Sequence, residues 1–570
     1  MTDPSVPPIV APSVDLVLVL PILVVLGAAV VGVLVEAFVG RSRRFAVQAA
    51  LTLLTVAFAA VWTIVAAVGD RVGVTFAGSV SVDALTHVAW GVLLVLAVPA
   101  VLLVLDRTVE PGGAFVAAGS APVGSAGDRR QNLGSGAGGG ADGPDGAPGP
   151  APMQTEVFPL ILFAVGGMMI FPAASDLLTF FVALEVLSLP LYLLCGLARR
   201  RRLISQEAAV KYFLLGAFVS AILLYGIALL YGWAGSIRFA DIAAKIAGDP
   251  GTGSGVGNDL LLLLGLALLV VGLLFKASVG PFHLWTPDVY QGAPTAVTAF
   301  MAACTKVAAF AAMLRVFLTF LPPVQDIWIP VLSVIAVVSM LIGSIIGVAQ
   351  SDMKRVLAYS SIAHAGFILL GVMSLSERGA SGTMFYLLSY GFATIGAFAI
   401  TMLVRRGAGE ATRLEEWSGL AKRSPVLAAV MTLFLLSFAG IPLTSGFIGK
   451  LTVFTAAVDA GLTPLVVIAM IATAITVAFY LRVVVVMYLT PTDRADRSAD
   501  RSAGGSGPGS RTVSGAPGTL LETTTAPVSV VVPGPAIAIV LVVCALVTLL
   551  LGLAPSLGLD LLDVPLPLLS

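Results

Sequence analysis

FKASVGPFHLWTPDVYQGAPT, residues 275–295, is an apolar run that carries a lysine, breaks at Gly280-Pro281 and resumes with a histidine. Pro281 has no backbone N–H and frees carbonyls that only water, side chains or neighbouring helices can satisfy. Lys276, just ahead of it, would cost about 2.5–3.5 kcal/mol at the centre of a bilayer, so it requires a partner, a wet cavity or a functional reason. The expected element is a broken helix lining a hydrated cavity. A second stretch, GIPLTSGFIGK at residues 440–450, pairs the same ingredients in reverse order, with Gly440, Pro442 and Gly446 ahead of Lys450.

The rest of the chain makes a membrane the right setting. Of its 570 residues 58% are apolar and 11% charged, against roughly 25% charged in a soluble domain. The formal net charge is zero, which gives no electrostatic reason to expect nucleic acid. Cys195, Cys304 and Cys544 lie far apart in apolar segments and suggest neither disulfides nor a metal site. With Asp3 and no basic residue ahead of the first apolar run, that run is expected to stay as a helix rather than be cleaved. Arginine far outnumbers lysine, and Ala, Val and Gly abound, which points to a GC-rich gene. No glycine-rich phosphate loop, nucleophile elbow or metal-spaced His/Cys cluster is present, so no bound nucleotide, flavin or iron–sulfur cluster is expected.

A hydrocarbon core of about 30 Å takes about 20 apolar residues per helix. About fourteen transmembrane helices are expected, near 13–38, 45–69, 84–105, 157–173, 176–197, 207–231, 259–280, 294–320, 327–349, 353–373, 382–404, 424–440, 463–489 and 534–556. The fold is thus all-α and polytopic. Short pieces from His283 to Tyr290 and from Gly446 to Asp459 read as the second halves of broken helices 7 and 12. Residues 1–105 form an N-terminal three-helix segment and 534–570 a last helix and tail. Between them, 157–320 and 327–489 form two five-helix repeats; an odd helix count inverts the second relative to the first. The connections 106–156 and 490–533, rich in Gly, Ala, Ser and Pro, are expected to be disordered cytoplasmic loops. With the N-terminus outside, 21 of the 31 Lys and Arg fall in inner loops and four in outer ones, as positive charges on the cytoplasmic side require. Both termini then lie outside a bacterial cell membrane.

Six basic residues remain inside the apolar runs: Lys211, Lys276, Lys306, Arg315, Lys450 and Arg482. Burial disfavours a lysine's charge and a nearby carboxylate restores it, so an array of lysines and a glutamate can pass protons near neutral pH. Glu185, in FFVALEVLSLPLYLL, has no base within a turn; its counter-charge is expected from another helix, with Lys211 the natural candidate. Lys211 also has Glu207 one turn earlier, which offers a local surface pair instead. His283 beside the first break and Lys306 in mid-helix complete the candidate relay, with Lys450 at the second break. His364, the positional counterpart of the Glu185 region in the inverted block, and Arg482, the rough mirror of Lys306, are weaker candidates. Arg315, near the end of its run, is expected to snorkel.

Together with Lys306 and MKRVLAYSSIAHAGF at 353–367, the two broken stretches resemble the antiporter-like subunit N family of proton-pumping NADH:quinone oxidoreductase, respiratory complex I. The likeness spans roughly 157 to 490; the string WTPDVY with GAPT, and lysine rather than glutamate at 450, favour this family over its L and M paralogues. The resemblance implies two inverted half-channels joined by a polar axis: Glu185 and Lys211 as the pair of helices 5 and 6, Lys276 as the switch of helix 7, His283 and Lys306 as the connecting relay, and Lys450 as the exit-side group. It implies adjoining membrane and peripheral subunits as partners. FMN, iron–sulfur clusters and a quinone, with menaquinone one candidate, would be held by those subunits. The long glycine-rich insertion after the third helix departs from the family's compact form. Two other readings share the lysines: a subunit of a multisubunit cation/proton antiporter, and a passive scaffold completing a membrane arm.

Overall fold

In the computed structural model the described residues are 14–110, 113–115, 154–198, 202–248, 256–407, 409–490, 527–566 and 568. Most of the two long connections, residues 116–153 and 491–526, lies outside the described residues, and with it most of the expectation of disorder there. Apolar runs of helical length became helices: α1 (Leu20–Phe38), α2 (Arg41–Val68), α3 (Ala84–Leu105), α4 (Val157–Ala173), α5 (Leu177–Cys195), α6 (Arg202–Ala234) and α7 (Val256–Lys276). They continue as α8 (Thr295–Thr319), α9 (Gln325–Ala349), α10 (Met353–Met373), α11 (Glu377–Leu403), α12 (Pro425–Ala439), α13 (Thr463–Leu489) and α14 (Pro535–Leu553). Among the described residues eleven helices are long and apolar enough to cross a membrane; α4, α12 and the Leu260–Lys276 portion of α7 are shorter apolar helices.

Helix α7 stops at Lys276, the backbone from Ala277 to Leu284 is not regular helix, and a half-helix follows at Trp285–Gly292. Likewise α12 ends on Gly440, whose φ of +79° is left-handed and open to glycine at no steric cost, and a half-helix resumes at Ser445–Asp459. Inside α8, residues Met301–Thr305 form one π turn immediately before Lys306.

The turns that start α5 and α10 are built alike. Asp176 caps α5 by accepting from the N–H groups of Leu178 and Thr179, and its backbone bridges Arg238; Asp352 caps α10 by accepting from Arg355 N–H, and its backbone bridges Arg413. Each aspartate satisfies amides that a helix start leaves unpaired.

Helices α8 and α10 are buried along their central length and α11 nearly so, while α1, α2, α6, α9, α13 and α14 turn Val, Leu and Ile outward. That distribution suits lipid, where an outward apolar face carries no penalty. Two small sheets lie at the ends of the bundle. β1 (Gly73–Thr75) pairs antiparallel with β2 (Val80–Val82) before α3. At the α10 N-terminus, β3 (Val404–Arg406) pairs antiparallel with β4 (Gly409–Glu410) on one side and β5 (Val528–Val530) on the other. β5 corrects the expectation of disorder throughout 490–533: PVSVVVP is a β-branched run with a free edge to pair with. The 106–156 connection is also ordered at its start, where Glu110 pairs with Arg405 and Phe115 bridges Ala198.

Candidate functional site

The interior lysines stand on three of the structural irregularities just described. Lys276, at the end of α7, is buried and donates to Ser188 Oγ (2.8 Å) and Tyr212 OH (3.2 Å), with its ammonium 5.5 Å from the centre of the Tyr212 ring. Glu185, one turn before Ser188 on α5, is half-buried and close enough for its charge to act on Lys276; its Oε1 has no hydrogen-bond partner. Glu185 therefore faces Lys276, and the expected Glu185–Lys211 pair is not formed.

Lys211 is 42% exposed and bridges Glu207 Oε1 (2.6 Å) and Asp288 Oδ2 (2.8 Å) in an open cleft, while Arg355 holds the other Asp288 oxygen at 2.9 Å. The local alternative prevails because two carboxylates lie within reach where the ammonium keeps part of its hydration. His283 is buried in the break between the helix halves; its Nδ1 makes no well-formed hydrogen bond, and its ring meets Tyr359 edge-on at 6.4 Å.

Lys306 follows the π turn, is 2% exposed, and donates to the Ser361 carbonyl of α10 beneath the Tyr390 ring, 5.3 Å away. A π turn shifts a side chain's direction and often marks functional positions. Ser361 Oγ is buried near the hydroxyls of Tyr290 and Tyr390 without a well-formed hydrogen bond to either. One turn on, His364 is 1% exposed and joins Tyr386 OH (2.7 Å) to Tyr480 OH (3.2 Å). Lys450 is buried beyond it, donating to the carbonyls of Phe438 (3.0 Å) and Ala439 (3.1 Å), which α12 leaves free at its C-terminal end. Its charge and that of Lys306 both reach His364. Ser445 Oγ at this second break is buried without a protein partner, the situation water ordinarily resolves.

Of the expected relay residues, Lys276, His283, Lys306 and Lys450 are buried, as is the weaker candidate His364; Glu185 is half-buried near Lys276, and Lys211 stands apart in the open cleft. Two further basic residues need correction. Arg482 is exposed and donates to the carbonyls of Val348 (2.8 Å) and Gln350 (3.3 Å), closing the C-terminus of α9; it does not join the row. Arg315 does not snorkel: it is fully buried, donating to Asp83 at 2.5 and 2.7 Å, to Pro172 O at 2.9 Å and to Thr86 Oγ at 2.8 Å. A cluster at the α10 N-terminus went unread. There Lys354 pairs with Glu410 (2.9 Å) and Arg405 with Glu110 (2.8 Å). A lysine two residues into a helix reads as a solvated end, and only the folded hairpin brings Glu410 to it. Among the described residues no group of three or more His, Cys, Asp or Glu could hold a metal ion.

Comparison with known proteins agrees with this geometry. Residues 174–476 match the family described as NADH:quinone oxidoreductase/Mrp antiporter, TM. NADH-quinone oxidoreductase subunit N of Saccharopolyspora erythraea is 53% identical over 550 residues, covering 96% of this chain and 97% of the relative. The protein of that name from Mycobacteroides abscessus is 46% identical, with 99% of each chain covered. Among solved structures, a chain of respiratory complex I from Thermus thermophilus with bound aureothin superposes with a TM-score of 0.68 at 30% identity, over 95% of this chain and 99% of that one. A chain of the Mrp complex from Dietzia shares the fold, with a TM-score of 0.71 at 23% identity, over 95% of this chain and 96% of that one. The chain belongs to the family of antiporter-like membrane subunits that includes NADH-quinone oxidoreductase subunit N.

Proposed function

We propose that this chain is a proton-translocating subunit in the membrane arm of an NADH:quinone oxidoreductase, driven by electron transfer from NADH to quinone in other subunits. The observation that carries the reading is the row of Lys276, Lys306, His364 and Lys450, buried at the two helix breaks and between them, with Glu185 the carboxylate beside its first member. A charge in such a place is functional by default. FMN, iron–sulfur clusters and quinone, menaquinone being one candidate, belong to the partner subunits. Fourteen crossings, with α7 and α12 broken in the bilayer, set the sheet of β3, β4 and β5 on the cytoplasmic side and both termini outside, which keeps most arginines inside. The like-built turns at Asp176 and Asp352 support two inverted repeats, 157–320 and 327–489.

In this scheme redox-driven rearrangement alters the environment of Glu185, the proton affinities of Lys276 and Lys306 follow, and a proton leaves past Lys450. Lys211, with Glu207, Asp288 and Arg355, sits at the cytoplasmic margin and sets the position of the half-helix Trp285–Gly292. Each charge moved against 100 mV costs about 2.3 kcal/mol, so the rearrangement has to change affinities by more than that. The Mrp likeness extends to the fold, while the identities of about one half belong to subunit N relatives, which favours the redox-linked reading over an antiporter. In membrane vesicles, Lys276→Ala or Glu185→Ala is expected to depress NADH-driven proton pumping and the linked quinone reduction while the complex still assembles. Full pumping by the assembled variants would overturn the proposal.

A further inference from the structure

We propose that Glu410 and Lys354 form the proton-accepting gate through which Lys306 is loaded from the cytoplasmic side. The inference rests on the proton-translocation reading above and adds an entry site to it. Glu410 stands in β4 with its side chain turned into the bundle. Its Oε1 accepts from Thr295 Oγ1 (2.5 Å) at the start of α8, and its Oε2 pairs with Lys354 Nζ (2.9 Å) in the first turn of α10. Lys354 also donates to Ala293 O at 3.2 Å, directly after the half-helix Trp285–Gly292. One carboxylate therefore ties together the two wholly buried helices that hold Lys306 and its Ser361 acceptor.

Two features make this a portal rather than a brace alone. On either side of Glu410 lie adjoining cavities of about 40 and 20 Å³, both lined by Glu110, Thr295 and Glu410; either has room for water. One reaches Gln291, which with Asp288 also lines the open cleft at Lys211. Inward, Lys354 and Ser361 are two helical turns apart on one face of α10, about 10 Å along the axis. Ser361 Oγ, buried without a protein partner and so open to water, then lies near the Tyr290 and Tyr390 hydroxyls, on the residue whose carbonyl accepts from Lys306. The polar series runs from the cleft towards the interior lysine, and the interval of about 10 Å along α10 takes a file of about three bridging waters.

The charges facing Glu410 are Lys354 on α10 and Arg405 on β3, the latter shared with Glu110 from the connection after α3. Burial pushes the Glu410 carboxyl up, but the Lys354 ammonium, its hydrogen bond and that of Thr295 together hold it below the ordinary glutamate range. It rests ionised and paired, which is the closed state. When Glu410 takes a proton from cytoplasmic water, its bond to Lys354 weakens. The proton then passes along the hydroxyls and water to the neutral amine of Lys306, which becomes ammonium. Glu410 is returned as carboxylate and pairs again with Lys354, so one proton enters, one lysine is charged, and nothing else changes.

The test is NADH-driven proton uptake into inverted membrane vesicles, measured alongside quinone reduction and the amount of assembled complex. Glu410→Gln keeps an acceptor for Thr295 but cannot carry a proton, and is expected to lower uptake by about tenfold or more, with Glu410→Asp retaining most of it. The double variant Glu410→Gln with Lys354→Met leaves no unpaired charge at the pair and separates gate from brace. A gate predicts that the double variant stays as slow as Glu410→Gln; restored pumping there would make the pair a brace and overturn the proposal. Normal uptake in Glu410→Gln alongside lost uptake in Lys306→Ala would also overturn it, leaving proton translocation intact. Normal uptake in both variants would instead overturn the translocation reading on which the gate depends.

Discussion

Arg315 shows how much a residue's surroundings outweigh its address. By sequence it ends an apolar run, where a long cationic side chain can reach the surface; in the fold it closes on Asp83, 232 residues away, and donates also to Pro172 O and Thr86 Oγ. Asp83 also has a local role, accepting from Thr86 N–H at the head of α3. Burial raises its carboxyl, yet the Arg315 charge and the hydrogen bonds from Arg315 and Thr86 together bring it below the usual aspartate range. Truncating one member leaves the other buried and unpaired, so Arg315→Met is expected to cost about 3–5 kcal/mol, and Arg315→Met with Asp83→Leu much less. Thermal unfolding of the purified complex checks this. A lowered native value means the pair's contribution is complete above roughly pH 4 and fades as pH falls through that native value. Wild type and Asp83→Asn should therefore differ in melting temperature at neutral pH and converge only in acid. The interior lysines were legible for the opposite reason: in an apolar run a lysine stands out by its insertion cost alone, whatever it touches. Lys354 and Glu410 carry no such mark, because each is an ordinary charge at the end of an element until the chain folds.

At the level of elements, the helix interruptions after Lys276 and at Gly440 were signalled in part by glycine and proline, which act on their own backbone. The π turn before Lys306 was not, since nothing in MAACT departs from ordinary helical composition. Nor was β5, whose strand exists only because β3 offers an edge, with Val531 N–H donating to Leu403 O at 2.9 Å beside it. The second break also depends on close packing that a pattern of apolar residues cannot reveal. At Gly446, the start of the second half-helix of α12 meets the Ser437 backbone so closely that a Cβ would overlap its carbonyl oxygen. At Gly382 on α11 an added Cβ would only press on Thr452, at 3.3 Å. Gly446→Val is therefore expected to push the half-helix away from α12, pull Lys450 off the Phe438 and Ala439 carbonyls, and abolish pumping with Lys450 still present. Gly382→Ala should pump near the wild-type rate. Vesicle pumping normalised to assembled complex measures both, and a fully active Gly446→Val would show that the break need not keep this geometry.

For the whole molecule, under the proposed repeats 157–320 and 327–489, the question is whether the two blocks carry protons separately or as one line. Their lysines occupy related places, Lys276 against Ser188 and Lys450 near His364, and these two α5 and α10 positions stand at the same offset from Asp176 and Asp352. Between the blocks, Lys306 on α8 contacts the second block directly through the Ser361 carbonyl and Tyr390, and its charge reaches His364. The first block's last helix therefore delivers its lysine into the second block's core, as a line requires and two independent channels do not. Groups that act as one unit give grossly non-additive losses. Lys276→Met and Lys450→Met should each reduce proton uptake to a common floor, and the double variant should fall no lower. Two parallel channels would give partial losses that accumulate in the double variant, and that result, obtained in fully assembled complexes, would require each block to be treated as a translocator in its own right.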